Sequence, residues 1–570
     1  MRIRKILAVA LTMAVMPVIP TAFAADAELF SGTYTAESFT VDAENGVTFE
    51  QDVPDGDYTV TVKTGGDTET NANIYINGGE RVRVYTLEAG ETQDNEQPVV
   101  PKDGKISVQV LGTNPNVTEI DIQQLPERTE PGEKITIYIA GDSTAQTYDY
   151  KNVFPQTGWG QVFGNYFTDD VVVENRSMGG RSSKSYNNDG RLDRILTEMH
   201  PGDYVFIQFG INDGAVDKPE RYISVEDYKE LITNKYIGEV EKRGGIPVLM
   251  TATAAAWWDE ENYCFMESRA DYADPTRELA EELGVKFIDI NRIMTDEWNG
   301  IALSSRKDYV LSGYFICEPL ESKAYPDGTD DHTHLKAMGA KRIAKLIVKA
   351  IPDNVPELAV YLQSAEEFTD ISGHWAEDMI KTFASVDMVQ GDGNRHFNPE
   401  DTVTRAEFLK MAMDSVGIVP HAYREGECLE ATEDDWYCYY LQGALDKEIV
   451  SGDKNFDGDK AITREEMAEI AASCMDLIEA PEMKKALELF SSTKDFIDAE
   501  MIDPSYIEAV TMAVSFGIIE GYDDDTFRPA DNLTRAEAVQ VMCNMHMLSG
   551  AYLWMETGKL FTDEWRETGK

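Results

Sequence analysis

The sequence is poor in basic residues and in histidine for its length. Its 570 residues include 51 Lys and Arg against 103 Asp and Glu, which gives a formal net charge of -52. Nucleic acids and anionic membranes are polyanions that would repel such a chain, so neither is expected as a partner. The acidity alone does not identify a partner, because it also favours solubility outside the cell.

Cysteine is scarce as well. The six cysteines form no dense disulfide framework and no Cys-x-x-Cys motif, so the sequence predicts neither a disulfide scaffold nor a cysteine metal site. Cys428 and Cys438 are the only close pair. Their spacing is compatible with a disulfide that bridges a loop and equally with two free thiols.

Long apolar runs are absent after the first 24 residues, so no later segment is expected to cross a bilayer. Residues 1–24 combine a basic start, an apolar stretch and the small-residue sequence Ala22-Phe23-Ala24, which is the pattern of a secretory signal peptide. A membrane anchor is the alternative interpretation, but Pro17 and Pro20 interrupt this short run. We therefore expect cleavage after Ala24 and export.

The residue pattern changes along the remaining chain, and the length predicts several domains. Residues 28–126 alternate apolar and polar side chains between turns, which predicts an antiparallel β-sandwich. In residues 134–352, continuous apolar strands alternate with helices, which predicts a three-layer α/β domain with a parallel sheet. Residues 366–420, 421–480 and 490–550 each contain a helix, a Gly/Asp turn and a second helix, which predicts an all-α array.

Three blocks in the predicted α/β domain carry the residue types of nucleophilic catalysis. A serine hydroxyl becomes a good nucleophile when an imidazole takes its proton and a carboxylate orients that imidazole. Ser143 and Asn212 follow predicted strands, at the sheet edge where ligand sites of parallel sheets lie. The order and spacing of the blocks predict a serine hydrolase. The blocks are Gly141-Asp142-Ser143, Gly210-Ile211-Asn212-Asp213 and Asp331-His332-Thr333-His334.

Two histidines compete for the role of general base. His334 is favoured, because Asp331 lies three residues earlier on the same loop and can reach its ring. His332 lacks an equally placed carboxylate. For the oxyanion, the side-chain amide of Asn212 and the backbone N–H groups of Gly180 and Ser143 are the expected donors.

These residues resemble a known family. The three blocks, with Gly158-Trp159-Gly160 and Gly179-Gly180-Arg181-Ser182, look like SGNH or GDSL-type hydrolases of the rhamnogalacturonan acetylesterase branch, over about residues 134–352. The resemblance implies a flavodoxin-like α/β fold and no metal or cofactor. It also implies Ser143 as the nucleophile, Gly180 and Asn212 as oxyanion donors, and Asp331 with His334 as the rest of the triad.

The resemblance further implies the substrate class. The family removes O-acetyl groups from plant polysaccharides, and rhamnogalacturonan or pectin is the favoured substrate. Acetylated xylan or another hemicellulose is the alternative. Ile211 stands where the family usually has a histidine, at a position that is not catalytic. Arg181 either binds substrate or holds its loop through a carboxylate. Trp257 and Trp258 follow a predicted strand and either stack on sugar rings or cover the sheet.

The C-terminal region resembles three S-layer homology repeats, on the evidence of Phe368-Thr369-Asp370-Ile371, His374-Trp375-Ala376 and three Thr-Arg-(Ala/Glu)-Glu motifs. A capping box explains the Thr-x-x-Glu spacing but not the repeated arginine. The resemblance implies attachment to an anionic secondary cell-wall polymer at the bacterial surface or S-layer. The second repeat lacks the His-Trp-Ala pattern, so its site is expected to be degenerate. The implied binding residues are Trp375, Arg405, Arg464 and Arg535.

The N-terminal sandwich is similar to the carbohydrate-binding-like domains that accompany this branch. Two functions from different classes follow from the whole sequence. The favoured one is a surface-anchored polysaccharide O-acetylesterase, because the set of catalytic residue types is complete. The alternative is a wall-bound carbohydrate-binding protein whose esterase domain is inactive.

Overall fold

The computed structural model describes residues 29–549, with gaps at 43–45, 301–305, 312, 364–367, 386–387, 393–394, 429–430, 452–455 and 478–495. The predicted signal peptide, residues 1–24, lies outside the described residues. The chain divides into two compact units, Met1–Glu127 and Arg128–Lys570. Among the helices of the described ranges, none is long and apolar enough to span a membrane.

The N-terminal unit consists mainly of antiparallel strands. Its described strands are β1 (Ser31–Thr35), β2 (Thr40–Asp42), β3 (Gly46–Asp52), β4 (Tyr58–Gly65), β5 (Thr70–Ile76), β6 (Gly79–Leu87), β7 (Thr92–Val99), β8 (Lys105–Asn114) and β9 (Val117–Gln124). They form a sheet in the order β1-β9-β4-β7 and another in the order β2-β3-β8-β5-β6. Alternate side chains from both sheets, such as Val60, Val62 and Ile74, are fully buried in one core. The predicted strand-rich N-terminal region is confirmed.

The second unit begins with an α/β domain. Its strands are β10 (Ile135–Gly141), β11 (Val171–Asn175), β12 (Tyr204–Gln208), β13 (Ile246–Met250), β14 (Trp258–Asp259), β15 (Cys264–Phe265), β16 (Lys286–Ile288), β17 (Tyr314–Cys317) and β18 (Thr329–Leu335). Five of them form a parallel sheet in the order β11-β10-β12-β13-β16. Because β10 connects to β11 on one side and lies beside β12 on the other, the winding reverses between β10 and β12. Ligand sites lie at this reversal in such sheets.

Helices cover both faces of the parallel sheet, which explains why every residue of β12 is buried. They are α1 (Tyr150–Val153), α2 (Trp159–Val162), α3 (Ser183–Asn188), α4 (Arg191–Glu198), α5 (Val225–Leu231), α6 (Gly238–Lys242), α7 (Ala270–Leu283), α8 (Ile290–Gly300), α9 (Arg306–Leu311), α10 (Ala337–Asn354) and α11 (Pro356–Ala359). Helices α2 and α8 pack on α10 and share one core with Phe206 and Val248. Side chains alternate across a strand, so Val205 and Ile207 face the other helical layer, where α3 contacts α5 and α5 contacts α7.

The C-terminal region carries helices α12 (Glu377–Ser385), α13 (Arg405–Val416), α14 (Cys438–Asp446), α15 (Arg464–Leu477), α16 (Ile507–Ser515) and α17 (Arg535–Ser549). Its second repeat packs on the α/β domain, where the ring of Tyr439 stacks on that of Phe154 with centroids 4.3 Å apart. All six cysteines are free thiols. Cys428 and Cys438 are therefore two free thiols and do not form a disulfide in the structure. Cys428 Sγ lies 3.2 Å from Gln442 Oε1.

Candidate active site

Ser143 lies in a tight turn directly after β10. The fully buried Asp142 builds this turn, because its carbonyl accepts the N–H groups of Ala145 and Gln146 at 3.3 and 3.2 Å. Its Oδ1 also accepts both the N–H and the hydroxyl of Thr144 at 2.9 Å. Burial raises the pKa of Asp142, against these hydrogen bonds. The turn therefore presents Ser143 at the carboxyl edge of the sheet, beside the reversal in strand order.

The Gly-Trp-Gly block packs against the same turn. A Cβ on Gly158 would lie 2.2 Å from the carbonyl oxygen of Gln146, and one on Gly160 would lie 2.6 Å from that of Ala145. Any side chain at either position would therefore push the serine turn away. Between the two glycines, Trp159 is fully buried and donates its indole N–H to Gln208 Oε1 at 2.9 Å.

The loop of Asp331 and His334 is an irregular part of β18. Tyr314 of β17 pairs with Leu335, whereas Ile316 pairs with Asp330, so the residues between them leave the ladder. This irregularity brings Asp331 and His334 to the same side, although they are three residues apart in a strand. His334 Nδ1 lies 2.6 Å from Asp331 Oδ2, and His334 Nε2 lies 2.9 Å from Ser143 Oγ.

The electrostatic environment keeps Asp331 ionised. Burial is the largest single effect and acts to raise the pKa of its carboxyl, whereas the hydrogen bond and the electrostatic interaction with His334 act to lower it. The backbone N–H groups of Thr333 and His334 donate to Asp331 Oδ1 at 2.7 and 3.1 Å and act in the same direction. Together they lower the pKa of Asp331 to about 2. An ionised Asp331 favours the tautomer in which His334 Nδ1 carries the proton and Nε2 is an acceptor toward Ser143.

His332 does not contact Ser143. Its Nδ1 lies 3.0 Å from the carbonyl oxygen of Ala256, and its Nε2 lies 3.0 Å from Asp330 Oδ1. His332 therefore has a carboxylate neighbour, but Asp330 is 84% exposed and is not placed as Asp331 is toward His334. Residues two apart in a strand share a face, which places Asp330 beside His332. The two histidines also differ in what their rings reach, since only the ring of His334 reaches Ser143.

Unused N–H groups surround Ser143. Gly180 has a φ of +70°, and neither its N–H nor that of Ser143 has an acceptor among the described residues. A Cβ on Gly179 would lie 3.6 Å from the Ser143 Cβ, so this segment lies against the serine. Asn212 donates one amide hydrogen to the carbonyl of Arg181 at 3.1 Å, which leaves its second amide hydrogen for another acceptor.

Asp213 fixes the position of Asn212, a role that the sequence did not predict. It is fully buried, and its carboxylate accepts the N–H groups of Gly210 and Ser183, both at 2.9 Å, and the Ser183 hydroxyl. Burial raises the pKa of Asp213 to about 6, against these three hydrogen bonds. The carboxylate thus ties the end of β12 to the start of α3. In the sequence, only the position of Asp213 directly after Asn212 indicates that this carboxylate belongs to the active site.

The predicted substrate residues have different surroundings. Arg181 donates to Asp189 Oδ2 at 2.6 Å, the contact expected of a residue that holds its loop. Trp257 is 43% exposed, whereas Trp258 packs edge-on against Phe265 with centroids 5.0 Å apart. The guanidinium of Arg269 lies 5.2 Å from the ring centroid of Trp257. No motif marks this arginine.

The repeat arginines lie at junctions between repeats. Arg405 of the first repeat pairs with Glu466 and donates to the Phe456 carbonyl of the second at 3.0 Å. Arg464 of the second donates to carbonyls of the third, and Arg535 of the third donates to carbonyls of the first. The acceptors are Phe527 and Glu520 at 2.8 and 2.9 Å, and Phe397 and Gln390 at 2.9 and 2.7 Å. The three arginines thus close a ring of repeats, and Trp375 stands apart from it with 58% exposure.

The fold and the linked serine, histidine and aspartate define an ester hydrolase built on a parallel α/β sheet. Residues 139–342 match the GDSL-like Lipase/Acylhydrolase family, and the chain belongs to this family. Residues 367–409, 431–468 and 495–539 match the S-layer homology domain. The predicted enzyme class and the three S-layer homology repeats are confirmed, and the repeats indicate association with the cell surface.

The relatives include two acetylesterases. The chain is 36% identical over 224 residues to the probable rhamnogalacturonan acetylesterase YesY of Bacillus subtilis, covering 38% of this chain and 92% of YesY. It is 33% identical over 235 residues to the rhamnogalacturonan acetylesterase RhgT of Bacillus subtilis, covering 41% of this chain and 96% of RhgT. The crystal structure of YxiM from Bacillus subtilis matches with 26% identity and a TM-score of 0.33, covering 57% of this chain and 90% of YxiM.

Proposed function

We propose that the chain is a secreted carbohydrate esterase that removes O-acetyl groups from plant cell-wall polysaccharide, with rhamnogalacturonan or pectin as the favoured substrate. The observation that carries the proposal is the hydrogen-bond chain from Asp331 through His334 to Ser143. The names of YesY and RhgT support the substrate class. Export rests on the sequence of residues 1–24 alone.

The proposed mechanism uses an acetyl-enzyme. Ser143 Oγ attacks the acetyl carbonyl carbon while His334 Nε2 takes the hydroxyl proton. The negative charge that forms on the carbonyl oxygen is stabilised by the N–H groups of Ser143 and Gly180 and by the free amide hydrogen of Asn212. His334 then gives its proton to the departing sugar oxygen. A water molecule, deprotonated by His334, attacks the acetyl carbon, the bond from that carbon to Ser143 Oγ breaks, and His334 returns the proton to Oγ as acetate leaves.

The flanking regions have accessory roles in this proposal. The N-terminal unit acts as a sandwich-type, carbohydrate-binding-like domain, supported by its two antiparallel sheets around one core. The repeats bind an anionic secondary cell-wall polymer through Trp375 and the junction arginines. The exposure of Trp375 supports its role in binding the polymer. A small cavity of about 70 Å3 beside Arg405 supports a binding site at the junction between the first and second repeats.

Acetate release tests the proposal. Purified full-length protein and the Ser143→Ala variant are incubated with acetylated rhamnogalacturonan and with acetylated xylan. We expect the wild type to release acetate, faster from rhamnogalacturonan, and the variant to release none above background. Faster release from xylan would favour the hemicellulose alternative. No release from either polymer would favour an inactive, wall-bound carbohydrate-binding protein.

A further inference from the structure

A cleft of about 530 Å3 opens between α3 and the helical segment that begins with α5. One wall is formed by Lys184, Asn187 and Asn188 of α3. Tyr222 and Asn234 contribute to the rest of the lining. None of these residues belongs to the sequence motifs of the active site or of the repeats.

Two chain segments link the active site to the cleft. From Gly180, three residues lead to the start of α3 at Ser183, and α3 rises about 1.5 Å per residue along the cleft. From Asn212, the second segment runs to Arg221, whose Nη2 would lie 3.2 Å from a Cβ on Gly180. The next residue, Tyr222, already lines the cleft. The segment that follows Gly180 and the segment that follows Asn212 therefore both lead into the walls of the cleft.

The two walls are tied together by Lys184. Its Nζ donates to the carbonyl oxygens of Pro219 and Tyr222 at 3.0 and 3.1 Å. These contacts join α3 to the loop that carries Tyr222 and leave the tyrosine ring 38% exposed. An exposed aromatic ring on a supported loop offers an apolar face on which a sugar ring can stack.

The amide side chains of the cleft are unused. Asn187, Asn188 and Asn234 have no side-chain hydrogen-bond partner among the described residues, and each amide offers two donors and one acceptor. Asn234 lies in a π-helical turn, Ile232–Ile237, between α5 and α6. π-Helical turns are rare and occur frequently at functional sites.

The charges of the cleft lining balance. The lining includes Lys184 and Lys235 together with Asp227 and Glu230, so the formal charge of these four groups sums to zero. A lining without net charge favours a neutral ligand that carries hydroxyl groups over a strongly anionic or cationic ligand. Amide groups that donate and accept at once match the hydroxyl groups of a sugar.

We propose that this cleft is a subsite for the main-chain sugars that flank the acetylated residue, and that it recognises their hydroxyl groups through Asn187, Asn188 and Asn234, with stacking on Tyr222. The inference rests on the proposed function, because it needs a polysaccharide at Ser143. It goes beyond that function by placing the polymer on one side of the active site. A small acetyl ester reaches Ser143 without entering the cleft.

The double variant Asn187→Ala/Asn234→Ala tests this subsite in the full chain. The probes are acetylated rhamnogalacturonan and 4-nitrophenyl acetate. We expect kcat/KM on the polymer to fall about tenfold or more, since two hydrogen bonds to sugar hydroxyls are lost, while kcat/KM on the small ester stays within about twofold. The matched control is Asn165→Ala, an exposed amide in the turn Phe163–Tyr166 beside α10, which should leave both values unchanged.

The outcomes separate the subsite from the proposed function. An unchanged kcat/KM on the polymer in an active double variant would overturn the subsite alone, as would an equal fall on both probes. A wild type that cleaves 4-nitrophenyl acetate but no acetylated polysaccharide would overturn both proposals. A Tyr222→Ala variant gives a second reading, because it leaves α3 intact and should also lower kcat/KM only on the polymer.

Discussion

The active site and the junctions between the repeats both contain polar groups that the sequence marks clearly, but they differ in how those groups are used. Around Ser143, the N–H groups of Ser143 and Gly180 have no acceptor within the described ranges. At the junctions, Arg464 is 5% exposed, donates to two carbonyls and stacks on the Tyr522 ring at 4.6 Å. A donor without an acceptor is available to a ligand, whereas a satisfied donor stabilises the fold.

This difference explains why the arginine recurs in all three repeats. Each Thr-Arg-x-Glu motif begins a helix and sends its arginine into the turn of the next repeat, and the third repeat returns to the first. Bridges Thr404↔Ala461, Thr463↔Asn532 and Thr402↔Thr534 follow the same cyclic order. Ring closure alone accounts for the recurrence, so it does not by itself indicate a ligand. Binding of wall polymer by the arginines stays a prediction.

The largest expected effect separates the two histidines of the active-site loop. His334→Ala should lower kcat by roughly 10⁴-fold or more, because Ser143 then has no base. His332→Ala is the matched control, since its ring contacts Ala256 and Asp330 instead. Initial rates on 4-nitrophenyl acetate, with circular dichroism to verify folding, measure the difference. Equal losses in the two variants would contradict the assignment.

The next effect concerns a donor that is free for the oxyanion. Asn212→Ala should lower kcat about 10²- to 10³-fold, as expected for the loss of one oxyanion donor, with little change in KM. The variant also loses the hydrogen bond from the Asn212 amide to the carbonyl of Arg181, which contributes only about 1 kcal/mol to the free energy of unfolding. Steady-state kinetics and urea unfolding of the same preparation separate the two quantities. If Asn212→Ala lost much stability but kept its kcat, Asn212 would support the fold and would not stabilise the oxyanion.

Much of the fold was predictable from local patterns. Period-two alternation predicted the strand-rich N-terminal region, and continuous apolar runs such as Tyr204–Gln208 predicted buried parallel strands. The placement of Ser143 and Asn212 after neighbouring strands followed from the same reasoning. The strand order itself was not readable, because non-local pairing leaves no local pattern in the sequence.

The contacts within the site were less predictable for a physical reason. The spacing of Asp331 and His334 predicted that the two side chains meet, but it did not show how. They meet because β18 leaves its ladder, and no turn residue marks that irregularity. Asp330 shares a face with His332 only because this part of the loop stays extended. Buried groups such as Asp213 act through tertiary hydrogen bonds, and composition does not distinguish such a carboxylate from a solvated one.

A third prediction tests the satisfied donors. Arg464→Ala should lower the free energy of unfolding by about 2–4 kcal/mol, because the buried carbonyl of Phe527 and the partly buried hydrogen bond to the Glu520 carbonyl lose their donor. The control is Arg528→Ala in the third repeat, since its ion pair with Asp524 is exposed and should contribute much less to stability. Thermal unfolding of the full chain, followed by circular dichroism, measures both. If both variants lowered the free energy of unfolding by the same small amount, Arg464 would contribute little to the fold and its guanidinium would be available to a ligand.

The smallest effect concerns Asp213, which is a satisfied group inside the active site. Burial raises its pKa from 3.8 to about 6, so the folded protein binds more protons there than the unfolded chain in this pH range. Stability must therefore fall as pH rises through this window. Between pH 5 and pH 7, the wild type should lose about 1 kcal/mol relative to Asp213→Asn, whose amide does not titrate.

Urea unfolding of both proteins at pH 5 and pH 7 isolates this effect, because the other acidic groups are common to the two chains and cancel in the difference. The variant should be less stable at both pH values, since an amide offers one acceptor oxygen to the three donors from Gly210 and Ser183. The informative quantity is the change in that deficit with pH. A deficit that is smaller at pH 7 than at pH 5 matches a buried carboxyl of raised pKa. A constant deficit would show that Asp213 is as well solvated as a surface aspartate and does not fix Asn212 from a buried position.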